Sequence, residues 1–177
     1  MNGYLVPVRY LWQWHDIREF IQPENPDVLA TYSQIGPDPW ALYDFVCRNV
    51  DYKFDIGEFW QMPSETLRRG AGDCEDTSIL LTSLIRAGGA SDCYVALGSL
   101  ADYGHAWVAH RGQILETTYT SARQATPRGY HLMALFNDIE AIELYPGALD
   151  EVFSLRRDEE AKLNLIAKAR WQLDEKF

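Results

Sequence analysis

The stretch GAGDCEDTSILLTSLIRAGG, residues 70–89, decides the fold because it joins a cysteine, three carboxylates and a helical apolar pattern. The apolar residues recur at helical spacing and form one broad face. They are Ile79, Leu80, Leu81, Leu84 and Ile85. Gly88 and Gly89 follow the pattern, and glycine commonly ends a helix. The stretch therefore predicts a buried helix whose N-terminus lies at Cys74.

Cys74 occupies a position that favours chemistry over simple packing. The thiolate is the reactive form of cysteine, and a helix N-terminus lowers the pKa of a thiol. The free N–H groups of a first helical turn also suit the oxyanion of a tetrahedral intermediate. Gly70 and Gly72 lack side chains, so they allow backbone and substrate to approach closely. Cys74 is therefore the candidate nucleophile, whereas Cys47 is expected to be a small buried apolar residue.

The carboxylates around Cys74 admit two interpretations. Asp73 is a natural N-cap, and Asp76 stands three residues later, as in a capping box. Alternatively, Asp73, Glu75 and Asp76 present hard oxygen ligands that suit calcium. A bound cation would also offset the negative charge that raises the pKa of a neighbouring thiol.

A nucleophilic cysteine needs a general base, and His105 is the best candidate among the four histidines. His15 is expected to lie in an aromatic N-terminal helix and to be structural. His131 falls in a late strand without an acid in register, and His110 abuts a turn, where we expect it to be exposed. His105 instead opens a strand and follows a glycine.

The pattern around His105 predicts a hairpin that brings an acid to it. Residues 105–110 and 113–119 flank Arg111-Gly112, which is a two-residue turn signal. If these two residues form the turn, side-chain alternation places His105 and Glu116 on one face as diagonal neighbours. Glu116 also interrupts an apolar run, and an inward-facing acid needs a partner. We therefore predict a Cys-His-Glu triad.

The rest of the chain completes a pattern of segregated helices and strands. The predicted elements, in chain order, are short helices and turns over residues 1–37, a helix from Pro39 to about Val50, a loop over 51–73, a buried strand over 93–98, strands within 130–136 and 141–146, and a charged amphipathic helix over about 154–177. Helices and antiparallel strands segregated in this way indicate the α+β class, with the cysteine-bearing helix packed on an antiparallel sheet.

Composition limits the function. The 177 residues suffice for one domain, which we assign to 1–177 with a core over about 38–145. The net charge of −10 disfavours nucleic acid and anionic membranes as partners. Three widely spaced cysteines without a CxxC motif argue against a disulfide framework and a structural zinc site. No signal peptide or membrane-spanning stretch is recognisable, so a cytoplasmic location is expected.

The motifs together resemble a known superfamily. The stretch WQMPSETLRRGAGDCED, residues 60–76, is similar to the nucleophile region of the transglutaminase-like superfamily. GHAWV, residues 104–108, resembles its histidine strand, and LETT, residues 115–118, resembles the strand that carries its acid. The most similar subgroup is the bacterial transglutaminase-like cysteine peptidases, and the resemblance covers about residues 40–120.

The resemblance implies a papain-like fold with a central helix on an antiparallel sheet. It assigns Cys74 as nucleophile, His105 as base and acid, and Glu116 as orienting group, although the family usually carries Asp at that position. An upstream aromatic or amide side chain usually completes the oxyanion hole in this superfamily. Trp60, Gln61 and Tyr52 are the candidates for that role, with Trp60 preferred.

The resemblance also bears on metal and substrate. In the peptidase subgroup, acids that correspond to Asp73, Glu75 and Asp76 bind calcium, so calcium is a candidate ligand although no cofactor is required. The expected activity is hydrolysis of a peptide or isopeptide amide in a protein or peptide substrate. A transglutaminase, in which an amine replaces the attacking water, and an inactive papain-like binding module are the alternatives. The sequence does not indicate an oligomeric state.

Overall fold

A computed structural model describes residues 4–53 and 57–157. The helices within these ranges are a 3-10 helix Ile17–Phe20, α1 Pro26–Ile35, α2 Pro39–Asn49, α3 Pro63–Arg69, α4 Cys74–Ala87 and α5 Ala148–Arg157. The strands are β1 Leu5–Val6, β2 His15–Asp16, β3 Asp51–Tyr52, β4 Ala71–Gly72, β5 Cys93–Leu100, β6 Tyr103–His110, β7 Gln113–Leu115, β8 Tyr130–Phe136 and β9 Ala141–Glu143.

The main sheet is antiparallel and has five strands in the order β7-β6-β5-β8-β9. Helix α4 packs on β5 and β6, and α1, α2 and α3 pack around α4. Helix α5 packs against β5, β6 and β8. This arrangement confirms the predicted α+β class, with the cysteine-bearing helix on an antiparallel sheet.

Two apolar clusters hold α4 against the sheet. One cluster joins Ile79 of α4 to Val95 and Leu97 of β5 and to the buried N-terminal residue Phe20. The other joins Leu81 and neighbouring residues of α4 to α2 and to Val108 of β6. Because both faces of α4 are covered, the helix is buried along nearly its whole length.

The predicted helices and strands agree with the structure at most positions. Helix α4 begins at Cys74 and ends before Gly88, as expected. Helix α2 begins at Pro39 after the N-cap Asp38, and Cys47 is buried, as predicted for a small apolar residue. The hairpin turns at Arg111 and Gly112, whose positive φ angles of 49° and 74° are typical of a type I′ turn.

The predicted loop over 51–73 is wrong. It contains α3, which begins with Pro63 at its first position, and the Glu65 carboxylate accepts a hydrogen bond from the Met62 N–H at 2.7 Å. Proline at N1 and glutamate at N3 are helix-start signals, but a seven-residue helix is too short for a clear apolar pattern. The parallel pair of β3 and β4 closes this segment, with Tyr52 opposite Gly72.

Both ends of the chain also differ from the prediction. Residues 4–37 contain α1 and the 3-10 helix, but they also contain the β1–β2 hairpin, so His15 lies in a strand and not in a helix. Helix α5 begins at Ala148, six residues earlier than expected. The predicted helix over 158–177 lies outside the described residues, and the assignment of 1–177 to one domain stays a prediction.

A backbone contact between β5 and β8 generates a stability prediction. A Cβ added at Gly98 would overlap the carbonyl oxygen of His131, next to a shift in the β5–β8 register. Since a backbone carbonyl has little freedom to move, Gly98→Ala is expected to lower the free energy of unfolding by about 3 kcal/mol or more.

Gly112→Ala is the comparison for that substitution. Its Cβ meets no atom within 4 Å, and only its positive φ is unfavourable, so we expect a loss of about 1 kcal/mol. Urea denaturation of both variants measures the difference. Equal losses would show that the contact with His131 does not control the stability of β5.

Candidate active site

The first turn of α4 is fixed by reciprocal hydrogen bonds between two aspartates. The Asp73 carboxylate accepts from the N–H groups of Glu75, at 3.2 Å, and Asp76, at 3.4 Å. The Asp76 carboxylate accepts from the Asp73 N–H at 3.1 Å. A Cβ at Gly72 would lie 2.7 Å from the Asp76 Cβ, so glycine is needed for this close approach. The predicted capping box is therefore present, and it places Cys74 at the first position of α4.

Cys74 is completely buried. Its thiol donates to Glu75 Oε2 at 3.2 Å, and the sulfur accepts from Arg156 Nη1 at 3.4 Å and from the backbone N–H of Ala106. Burial raises the pKa of Cys74 to about 12, although the guanidinium of Arg156 opposes the rise. The thiol is therefore neutral at pH 7 in this conformation.

His105 and Glu116 form a buried pair beside this helix end. His105 Nε2 lies 2.8 Å from Glu116 Oε2, and both side chains are less than 3% exposed. Tyr130 Oη donates to the same carboxylate oxygen at 2.7 Å, and Thr118 Oγ1 donates to the other at 2.8 Å. Burial disfavours ionisation of Glu116, but His105 and these hydroxyls outweigh it and lower the pKa of the carboxyl. Glu116 is therefore an ionised group that orients the imidazole.

The acid reaches His105 by a different route from the one predicted. The register of Val108 with Leu115 and of His110 with Gln113 is the predicted one. However, β7 ends at Leu115, so Glu116 lies beyond the paired strand. The next residue, Thr117, makes a hydroxyl hydrogen bond to Thr77 of α4 at 2.7 Å. This contact ties the segment that carries the acid to the first turn of α4.

The structure brings two of the three predicted triad members into direct contact. Within residues 4–53 and 57–157, no hydrogen bond joins the Cys74 sulfur to the His105 ring. Cys74 is nevertheless close to the backbone of His105, because its sulfur accepts from the N–H of the following residue, Ala106. Since Nε2 of His105 faces Glu116, Nδ1 is the ring nitrogen that remains for the thiol.

The other three histidines lie away from this pair. His15 Nδ1 lies 3.4 Å from a carboxylate oxygen of Glu19, and His131 is exposed on β8. His110 is buried, and its Nδ1 lies 2.7 Å from the carbonyl oxygen of Asp92. The expectation that His110 is exposed is therefore wrong, because the turn that it precedes folds back on the segment before β5.

The three oxyanion-hole candidates occupy different surroundings. Trp60 is a core residue that packs with Phe136, at a centroid distance of 5.9 Å, and its indole N–H donates to Glu58. The Gln61 amide Nε2 donates to the carbonyl of Ala71 at 3.2 Å. The indole and the Gln61 amide N–H are thus engaged elsewhere, and the structure does not support the preference for Trp60.

Tyr52 is the third candidate, and its hydroxyl lies within the electrostatic influence of Cys74. Burial raises the pKa of the Tyr52 hydroxyl, and the charges of Cys74 and Asp73 raise it further. Its strand β3 pairs with β4, which leads directly into α4. Tyr52 is therefore better placed than Trp60 or Gln61 to contact a group bound at Cys74.

The acidic residues proposed for calcium are already paired with other groups. Glu75 Oε1 lies 2.7 Å from Arg156 Nη2, and Asp76 Oδ1 accepts from the Gln61 N–H at 2.8 Å. Among the described residues, no set of three histidine, cysteine or acidic side chains is arranged to hold a metal ion. The carboxylates as arranged here do not fit a cation, and calcium at Asp73, Glu75 and Asp76 stays a prediction.

Arg156 is the residue of this site that the sequence interpretation missed. It contacts the thiol and Glu75 at once and is almost fully buried. Leu149, Val152 and Arg156 are spaced three and four residues apart, which places them on one face of a helix. The helix was predicted to begin at about residue 154, so its apolar first turns, and with them the inward position of Arg156, were not recognised.

Comparisons with known proteins give one family match and a structural likeness. Residues 58–144 match the family model of the CEP76 peptidase-like domain. Calcium-bound LapG of Legionella pneumophila is 16% identical, with coverage of 72% of this chain and 84% of that chain and a TM-score of 0.53. EGTA-treated LapG from the same organism is 16% identical, with coverage of 72% and 88% and a TM-score of 0.51. No curated protein matches the sequence.

The predicted resemblance to transglutaminase-like cysteine peptidases is thereby confirmed. The structural likeness to LapG supports the predicted core fold, while at this low identity it carries no information on activity. None of the helices within the described residues is long and apolar enough to span a lipid bilayer.

The buried thiol predicts alkaline destabilisation. The pKa of Cys74 is raised to about 12 in the folded protein, against about 8.5 in an unfolded chain. The folded state thus retains a proton that the unfolded state loses. The free energy of unfolding should therefore fall by about 1.4 kcal/mol per pH unit for this thiol above about pH 8.5.

Urea denaturation between pH 7 and 10 tests this expectation. The Cys74→Ala variant should show a shallower decline than the wild type by that amount. Cys93 also has its pKa raised to about 12 by burial, so its contribution remains in both proteins. Identical slopes would show that Cys74 titrates in the folded protein as an exposed thiol does.

Proposed function

We propose that the protein is a cysteine-dependent amide hydrolase that acts on a peptide or isopeptide bond of a protein or peptide substrate. The observation that carries the proposal is the buried pair of His105 and Glu116, 2.8 Å apart, beside a cysteine at a helix N-terminus. A buried imidazole held by an ionised carboxylate is the arrangement needed for a general base. The match to a peptidase-like family model supports the same class.

The first half of the proposed reaction makes an acyl-enzyme. Nδ1 of His105 accepts the proton of the Cys74 thiol, and Glu116 stabilises the resulting imidazolium through Nε2. The thiolate attacks the amide carbonyl carbon, and the backbone N–H of Cys74, with the hydroxyl of Tyr52, donates to the oxyanion. The imidazolium then protonates the leaving amine, and the C–N bond breaks to give a thioester.

The second half of the reaction releases the acid. His105 accepts a proton from water, and the hydroxide equivalent attacks the thioester carbon. When the C–S bond breaks, the thiolate recovers the proton from the imidazolium, and the carboxylic acid product leaves. In the transglutaminase alternative, a primary amine takes the place of this water, and the residues keep the same roles.

An inactive papain-like binding module is the second candidate function. The observation that favours it is the neutral, completely buried thiol, which has no hydrogen bond to His105 in the described structure. A module of this kind would retain the fold without the chemistry. Trapping of a thioester on Cys74 distinguishes it from the hydrolase.

The proposed reaction uses no metal ion. The Arg156 guanidinium already supplies positive charge to Glu75 and to the sulfur. We therefore expect chelation with EGTA to leave hydrolysis unchanged. A loss that calcium alone restores would show that the carboxylates rearrange to bind the cation, as the sequence resemblance implied.

The triad assignment predicts a graded loss of activity. The substrate would be a mixed peptide library, and mass spectrometry would count new peptide termini. Cys74→Ala should abolish cleavage, and His105→Ala should lower its rate about 10²–10⁴-fold because the general base is lost. Glu116→Gln should lower it less, because the amide still accepts one hydrogen bond from the imidazole.

Cys93→Ala is the matched control, since Cys93 is equally buried but lies at the start of β5. It should cleave the library as the wild type does. Cleavage by Cys74→Ala at the same rate as by a cleaving wild type would contradict the hydrolase, and incorporation of a labelled amine at Gln residues would instead support the transglutaminase.

A further inference from the structure

The side chain of Arg156 enters the candidate active site from α5 and lies among its acidic side chains. Its Nη2 lies 2.7 Å from Glu75 Oε1 and 3.5 Å from Asp73 Oδ2, and its Nε lies 3.6 Å from Glu58 Oε1. The side chain is only 4% exposed. The contacts with Asp73 and Glu75 are charge-assisted and shielded from water, whereas Glu58 is 25% exposed and accepts no hydrogen bond from Nε.

The same guanidinium covers the nucleophile. Arg156 Nη1 lies 3.4 Å from the Cys74 sulfur, and Cys74 has no exposed surface. An amide carbon must come within about 3–3.5 Å of the sulfur for attack. The guanidinium lies against the sulfur at this distance, so a substrate carbonyl has no path to Cys74 while the contact persists.

Helix α5 is anchored at its start and lies against a glycine near its end. Leu149 and Val152 belong to the apolar core. A Cβ at Gly104 would lie 3.0 Å from Arg156 Cδ and 3.2 Å from the Arg156 backbone N. Glycine at 104, the residue before His105, therefore allows the end of α5 to close tightly over the site.

We propose that Arg156 is a latch that keeps the catalytic cysteine closed in the resting protein, and that release of the end of α5 exposes Cys74. This inference rests on the proposed function. It accounts for two features of the site together, namely a complete His105–Glu116 pair and a nucleophile that no substrate can reach. Loss of the contact removes the cover and allows the thiol to meet the imidazole.

Site-resolved alkylation with iodoacetamide at pH 7.5 tests the latch, because it reports access to each thiol independently of any substrate. Two variants weaken the latch in different ways. Arg156→Ala removes the guanidinium, and Gly104→Ala retains it but requires the end of α5 to shift by a few tenths of an ångström. Arg156→Ala should raise the alkylation rate of Cys74 by about tenfold or more, because the reagent gains access to a thiol that burial protects in the wild type. Gly104→Ala should raise the rate less, because most of the cover stays in place.

The controls separate opening from unfolding. Cys47 and Cys93 are buried in the core, and they should stay protected in both variants. Arg48→Ala removes an arginine that pairs with Asp44 on the exposed side of α2, and should leave Cys74 as slow as in the wild type. If Arg156→Ala exposes all three thiols, the protein has unfolded, and Arg156→Gln, which removes the charge but keeps an amide donor, takes its place in the test.

Two results would overturn the latch. One is a wild-type Cys74 that reacts as fast as a free thiol, and the other is a variant without the Arg156 guanidinium that stays folded, with Cys47 and Cys93 protected, while Cys74 remains as slow as in the wild type. Peptide cleavage by the same variants tests the proposed function separately. Fast alkylation without cleavage would support the latch and contradict the hydrolase, whereas cleavage that appears only in the opened variants supports both.

Discussion

The burial of negative charge at the start of α4 is the constraint on which the site depends. Asp73, Glu75 and the thiol of Cys74 meet there without access to water. Uncompensated buried charge is strongly unfavourable. Three sets of groups stabilise the buried acids. They are helix N–H groups that donate to Asp73, backbone N–H groups that donate to Asp76, and the guanidinium of Arg156 beside Glu75.

The aspartate hydrogen bonds and the Arg156 contacts have different consequences for the site. The hydrogen bonds of the two aspartates are local, so they fix the position of Cys74 whatever the rest of the chain does. The Arg156 contacts are long-range, since Arg156 lies 81 positions from Glu75 and 83 positions from Asp73 in the chain. A long-range ion pair at the end of a helix can break without loss of the core, whereas a capping box cannot break without loss of the first turn. The site therefore combines a cysteine whose position is fixed locally with an arginine contact that depends on the packing of α5.

Sequence reasoning found the parts of this site that are encoded locally. Cys74, its cap and the hairpin turn follow from short-range patterns, and each lies where it was expected. The pairing of His105 with Glu116 was also predicted. The predicted strand register is correct as far as Leu115, but it does not extend to Glu116. The acid lies one residue beyond β7, in an irregular segment held by side-chain bonds to Thr77 and Tyr43 that no periodicity reveals.

The features that were missed depend on contacts across the chain. Trp60 was preferred for the oxyanion hole because an upstream aromatic residue usually has that role, yet three aromatic side chains pack around its ring. They are Phe20, Phe136 and Phe153. Arg156 was missed because a charged residue in a charged segment is normally solvated. Only the packing of α5 against β5, β6 and β8 shows that it points inward.

Glu116, which is longer than an Asp at the same position, has the length that its contacts with His105, Tyr130 and Thr118 require. The transglutaminase-like peptidases that the sequence resembles usually have Asp there, one methylene shorter. Glu116 extends from the end of β7 to His105, and its two oxygens also accept from Tyr130 and Thr118. A shorter side chain at the same backbone position would have to give up at least one of these contacts or draw the segment inward. That movement is resisted by Thr117, which is bonded to Thr77 and Ser78 of α4. The length of the acid and the anchoring of its segment are therefore coupled, and together they fix the position of the His105 imidazole.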